Sequence, residues 1–200
     1  MKACLVLAFA ALSRAIVAAP EAPRVWLEVN PPAAAVSGAS HAADTADSFR
    51  AALGSAKPGD EIVLAAGWTY RGNFILPRKE GEGWITIRSS AMDRLPGERT
   101  RVSPGDAGAM PRIVAPNAQP AIEAAPGAAR YRLIGLEIAQ GEDVDYNYGL
   151  VALGGKQTTL EETPRDIILD RLYIHASPDT ALKIECTAMQ SSQQRSVHEL

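Results

Sequence analysis

Beyond Asp60 the chain alternates between short apolar runs, enriched in Ile, Val and Leu, and breaks of Gly, Pro, Asn and Asp. The runs are Glu61 to Leu64, Asn73 to Leu76, Trp84 to Arg88, Arg112 to Ala115, Ala121 to Ala124, Tyr131 to Ile138, Leu150 to Leu153 and Asp166 to His175. None is long enough for an amphipathic helix, so each predicts a strand. The first three begin at 61, 73 and 84, intervals of 12 and 11 residues, a cadence that fits a sandwich, a barrel or a solenoid.

Two longer runs discriminate among these. In IILDRLYI, Ile167 and Leu169 precede a two-residue break at Asp170-Arg171, and Leu172 and Ile174 follow it. In YRLIGLEI, Tyr131 and Leu133 precede Ile134-Gly135, and Leu136 and Ile138 follow. Side chains on a straight strand alternate with period two, so only a bend at each break lets both pairs face one core. The same cornered pattern returns after 36 residues, from Leu136 to Leu172, as one turn of a coil resembles the next. No Asn-Gly or Asp-Gly dipeptide follows the helix described next, which argues against an antiparallel meander.

Ahead of the strands, DTADSFRAALGSAKPGD offers Asp44 or Thr45 as a helix cap, Phe49, Leu53 and Ala56 at helical spacing, and Lys57-Pro58-Gly59 as a stop. The first turn of a stacked coil would otherwise expose its core and its unpaired strand edges. One amphipathic helix lying across that end covers both.

The N-terminal residues MKACLVLAFAALSRAIVAAP have an early lysine, an apolar run from Ala3 to Leu12, and Ala18 and Ala19 before Pro20. This is the pattern of a secretory signal peptide. A membrane span needs about 20 apolar residues, and Ser13 and Arg14 interrupt this run. The resulting division is a leader at 1–19, a Pro- and Ala-rich linker at 20–43, a coiled all-β region with its cap helix at 44–181, and an irregular tail at 182–200. The tail reads LKIECTAMQSSQQRSVHEL and carries no further coil signal. The chain therefore reads as a truncated N-terminal portion, with a genuine short tail as the alternative.

Composition narrows the partners. A hydrophobic content of 46% suffices for one domain with a core. The 20 basic side chains stand against 23 acidic ones, so the chain lacks the basic stripe that nucleic acid requires. Cys4 lies in the leader, leaving Cys186 unpaired in an exported chain, so burial and backbone pairing must hold the fold. A monomer is expected, without membrane insertion once the leader is removed.

The stretches AKPGDEIVLAAGWTYRGNF (Ala56 to Phe74), WITIRSS (Trp84 to Ser90), RLIGLEI and DIILDRLYIH resemble the opening coils of secreted bacterial proteins of the pectate-lyase-like superfamily. The resemblance implies a right-handed parallel β-helix in a secreted or periplasmic protein. That superfamily includes polysaccharide lyases, glycoside hydrolases, esterases, epimerases and proteins with no known activity, so fold alone does not choose among them. The expectation is a carbohydrate-active protein, a lyase or hydrolase if catalytic, working on an acidic or plant-type polysaccharide. A non-catalytic surface or sugar-binding module is the alternative, as is an inactive fragment.

Candidate chemistry follows from this expectation. GGKQTT (Gly154 to Thr159) lacks the glycine and hydroxyl spacing of a phosphate loop, and no GxSxG or HExxH motif occurs. Asp170, Arg171, Tyr173 and His175 lie at or beside the predicted corner, Tyr173 and His175 pointing outward, where adjacent strands would build one continuous wall. Elimination from a uronate needs a base for the C5 proton and a cation to stabilise the enolate. Arg171 or His175 could serve as the base, with Asp170 beside them. Calcium is the candidate cation, with Asp143 and Asp145 of GEDVDYNYG as oxygen ligands. Tyr146 and Tyr148 in that loop could stack on sugars. Hydrolysis would instead require carboxylates about 5 to 9.5 Å apart.

Overall fold

The computed structural model describes residues 36–97, 100–155 and 157–176; the expected leader, most of the linker, Cys186 and the tail lie outside the described residues. Among these residues one α-helix, α1 (Ala46–Ser55), and twelve short strands form. The first sheet contains β1 (Ser40–Ala43), β2 (Glu61–Leu64), β5 (Ile85–Ser89), β8 (Ala129–Ile134) and β11 (Arg165–Asp170), in that order. The second runs β3 (Thr69–Arg71), β6 (Arg112–Ala115), β9 (Glu137–Gln140), β12 (Tyr173–His175), and the third β4 (Phe74–Leu76), β7 (Ile122–Ala124), β10 (Val151–Ala152). From β2 onward the chain visits the first, second and third sheets in turn, and each return adds one parallel strand to each sheet. The protein is mostly β with parallel sheets, an arrangement compatible with a parallel β-helix.

The register stacks like on like. Ile62, Ile87, Leu133 and Leu169 occupy one column of the first sheet. Tyr70, Ile113, Ile138 and Ile174 form another in the second, and Phe74, Ile122 and Val151 a third. Most of these side chains are fully buried in a single core, and each buried aliphatic side chain contributes roughly 1.5–3 kcal/mol. The expected 36-residue recurrence is the pairing of β8 and β9 with β11 and β12. Earlier turns have other lengths: 25 residues separate Ile62 from Ile87, and 46 separate Ile87 from Leu133. The extra length lies in the connection from β5 to β6, which contains 3₁₀ turns at Met92–Arg94 and Pro104–Ala109. No single period is therefore visible in the sequence.

The corner between the first two sheets has the geometry expected from the breaks. Gly135 has φ +64° and Arg171, at the equivalent place one turn later, φ +50°. Gly135 N–H donates to Asp170 O at 3.0 Å, so the two corners stack directly. A Cβ on Gly135 would come within 2.2 Å of Leu95 Cδ1.

Helix α1 closes the first turn. Thr45 Oγ1 accepts from Ser48 N–H while Ser48 Oγ accepts from Thr45 N–H, a reciprocal capping box. Phe49 is fully buried, its ring centroid 4.5 Å from that of Phe74 and 6.0 Å, edge-on, from that of Tyr70. Tyr70 donates its hydroxyl to Ala43 O at 2.7 Å and accepts from Ala65 N–H.

One boundary needs correcting. Residues 40–43 belong to a strand, β1, and not to a linker. Its sequence SHAA carries no apolar alternation; its strand character comes from pairing with β2. Asp60 anchors it, accepting from Ala39 N–H at 2.7 Å, Lys57 N–H at 2.8 Å and the His41 ring at 3.0 Å. The Lys57 amide, then His41, hold this carboxyl below its ordinary range against the effect of burial. Any side chain on Gly38 would collide with Asp60 Oδ1, 2.1 Å from an ideal Cβ. The three-residue β3 also escapes the sequence pattern, since Tyr70 is its one buried residue.

Phe49→Ala is expected to destabilise the protein by about 3–5 kcal/mol in urea denaturation, whereas Ile75→Ala, at an exposed outward position, changes stability by no more than about 0.5 kcal/mol. Gly135→Ala combines a left-handed backbone with the Leu95 clash and is expected to cost more than about 1 kcal/mol; an unchanged denaturation midpoint would contradict the corner geometry.

Candidate functional site

The outward side chains of the second sheet converge on one carboxylate. Arg112, Glu137 and Tyr173 are register partners on β6, β9 and β12. His175 lies two residues beyond Tyr173 on the same face, and its ring stacks on Tyr173 with centroids 4.4 Å apart. From there His175 Nε2 reaches back to Glu137 Oε1 at 2.9 Å. Arg112 Nε approaches that same oxygen at 3.2 Å without hydrogen-bond geometry to any partner. Arg112 and His175 thus share one largely buried carboxylate.

His175 Nδ1 lies 2.7 Å from Ala176 O, so both ring nitrogens face acceptors. The hydrogen bond to Glu137 raises the imidazole pKa above its ordinary value; burial opposes this, the Ala176 carbonyl and the Glu137 charge support it, and the Arg112 charge opposes it. The arrangement favours an imidazolium that donates two hydrogen bonds. In this state His175 has no free lone pair with which to remove a proton.

Asp170 and Arg171 do not join this group. Arg171 Nη2 and Nε donate to Asp170 at 2.8 and 3.2 Å, and Nη1 donates to Pro96 O at 3.0 Å. Its side chain is only 8% exposed. The pair ties the corner to the connection between β5 and β6, where Leu95, Ala109 and Met110 form a small second core with Met92, Val102 and Tyr173 packed against it. Residues 100–102, Pro104 and residues 169–174 also line a cleft of about 560 Å³.

Asp143 and Asp145 are exposed on the connection from β9 to β10, with Val144 buried between them. Gln140 Nε2 holds the turn by donating to Val144 O. Asp143 Oδ2 lies 3.4 Å from Arg71 Nη2, so a guanidinium stands beside it. Among the described residues no group of three His, Cys, Asp or Glu could hold a metal ion.

Glu137 and Arg112 are the residues that sequence reasoning missed. They lie 38 and 63 residues before His175 and meet it only through strand stacking. The one local signal was that each is an outward polar position within an apolar run.

No protein-family model and no curated protein matches this chain. Among solved structures it is similar to an alginate lyase from Paenibacillus sp. str. FPU-7, at 21% identity and a TM-score of 0.39, over 56% of this chain and 34% of that one. The match spans about a third of that enzyme's length.

Because the folded pKa of His175 is raised, its contribution to stability is fully present below the unfolded value of about 6.5 and is lost as pH rises through the folded value. A titration of the His175 ring followed by NMR is expected to show a midpoint above about 6.5, moving down in Glu137→Gln. A midpoint at or below that value would contradict the paired imidazolium.

Proposed function

We propose that this chain forms the opening turns of a right-handed parallel β-helix in an exported, monomeric carbohydrate-active protein, and that the outer face of the second sheet takes up an acidic polysaccharide. One observation carries the reading: Arg112 and the His175 ring are held in fixed positions around Glu137 on a wall of parallel strands. With His175 protonated, these three groups sum to one positive charge. Arg71, half-exposed on β3 of the same sheet, presents a further guanidinium, its charge offset in the free protein by Asp143. Neighbouring strands stand about 4.8 Å apart, so the cations form a row along the stacking direction that an extended polyuronate could follow. Arginine suits this role because its planar fork can meet a carboxylate with two parallel hydrogen bonds.

Uptake is the step these residues support. No helix among the described residues is long and apolar enough to cross a membrane, and the export reading rests on the leader pattern.

Affinity electrophoresis of the full chain through gels containing polygalacturonate or alginate is expected to retard it, and a neutral galactomannan gel to retard it less. Arg112→Ala should weaken uptake of the acidic polymers by about tenfold or more, the scale of a lost charge-assisted contact, and the effect should shrink as salt rises. Equal mobility with and without the acidic polymers would remove the proposal. Formation of an unsaturated uronate, followed by ultraviolet absorbance, would add elimination to uptake and would require a base other than His175 in its paired state.

A further inference from the structure

Tyr148 is a large side chain left 58% exposed between residues that are themselves fixed. Asn147, before it, is 1% exposed: its Nδ2 donates to Asn117 O at 3.0 Å and Gln119 O at 2.9 Å, and its Oδ1 accepts from Gly149 N–H at 2.8 Å. Leu150, two residues after it, is buried, and its carbonyl accepts from Ile122 N–H. Asn117 is held in turn by Asn73 from the turn before, each amide donating to the other's oxygen at 3.1–3.2 Å. The backbone under Tyr148 is therefore pinned at the corner between the second and third sheets. Tyr146 meets the Tyr148 ring nearly edge-on, centroids 4.3 Å apart and planes at 77°.

We infer that Tyr148 is a stacking platform for the C–H face of a pyranose ring, a binding position separate from the charged row on the second sheet. The inference rests on the proposed uptake of a polysaccharide. The electron-rich face of the phenol attracts the partly positive axial C–H groups of a sugar. A ring on an anchored backbone, with only two side-chain torsions, loses little freedom on binding. Nothing in this contact uses charge, so it accepts neutral and acidic sugar units alike and is insensitive to salt, unlike the contribution of Arg112.

The test runs the full-length wild type, Tyr148→Ala, Tyr148→Phe and Arg112→Ala through polygalacturonate gels at low and high salt, with thermal midpoints as a check on folding. Stacking of this kind predicts that Tyr148→Ala weakens apparent affinity about three- to tenfold at both salt concentrations, with Tyr148→Phe like wild type and the thermal midpoints unchanged. Wild-type affinity in Tyr148→Ala, or equal loss in Tyr148→Phe, overturns the platform and leaves the charged row standing. Loss in Tyr148→Ala with none in Arg112→Ala keeps the platform and overturns the row. Failure of the wild type to be retarded overturns both.

Discussion

The architecture depends on one local constraint, the left-handed residue at the corner between the first and second sheets. A strand that continued straight would send Leu136 and Ile138, or Leu172 and Ile174, to the opposite side from Leu133 and Leu169. The left-handed turn at Gly135 and at Arg171 reverses that parity, and Tyr131, Leu133, Leu136 and Ile138 are all fully buried as a result. Glycine meets the requirement without strain. Arginine does not, and a non-glycine residue in this region costs about 1–2 kcal/mol. The ion pair with Asp170 and the hydrogen bond to Pro96 O offset that cost, which gives Arg171 a structural role at the place where sequence reasoning sought a base.

The same corner organises the longest excursion of the chain. After β5 the backbone leaves the sheets and rests on successive turns: Leu95 beside Gly135, then the Pro96 carbonyl accepting from Arg171, with Val102 and Met92 in the small core that Tyr173 joins. Tyr173 is thereby packed from one side by this connection and stacked by His175 from another. The wall of the second sheet is consequently a preorganised surface. Arg112 and His175 are held there by packing and by a shared carboxylate, the preorganisation on which the proposed uptake of a polysaccharide would draw.

The candidate site was partly legible. Local alternation placed Tyr173 and His175 outward and Asp170 and Arg171 at the corner, because side-chain direction along one strand follows from period two. What these residues touch was not legible. His175 is paired by Glu137, and Arg171 by Pro96, across 38 and 75 residues of sequence, and no local rule specifies a partner that arrives from another turn. Asp143 shows the same limit: local spacing marks it as an oxygen donor, but only the stacking of strands brings Arg71 to it, from two strands away in the second sheet.

By itself the sequence determined the elements with strong local signals. The capped helix, most of the strands and the cornered pairs at Ile134-Gly135 and Asp170-Arg171 were all readable, because capping, alternation and turn chemistry act within a few residues. Tertiary structure alone decided the strand character of Ser40–Ala43 and Thr69–Arg71, the unequal turn lengths and the convergence of Arg112, Glu137 and His175. Each of these arises where backbone edges or side chains of separate turns meet, so its energy depends on stacking register. Register is a property of the assembled sheets that no single segment encodes.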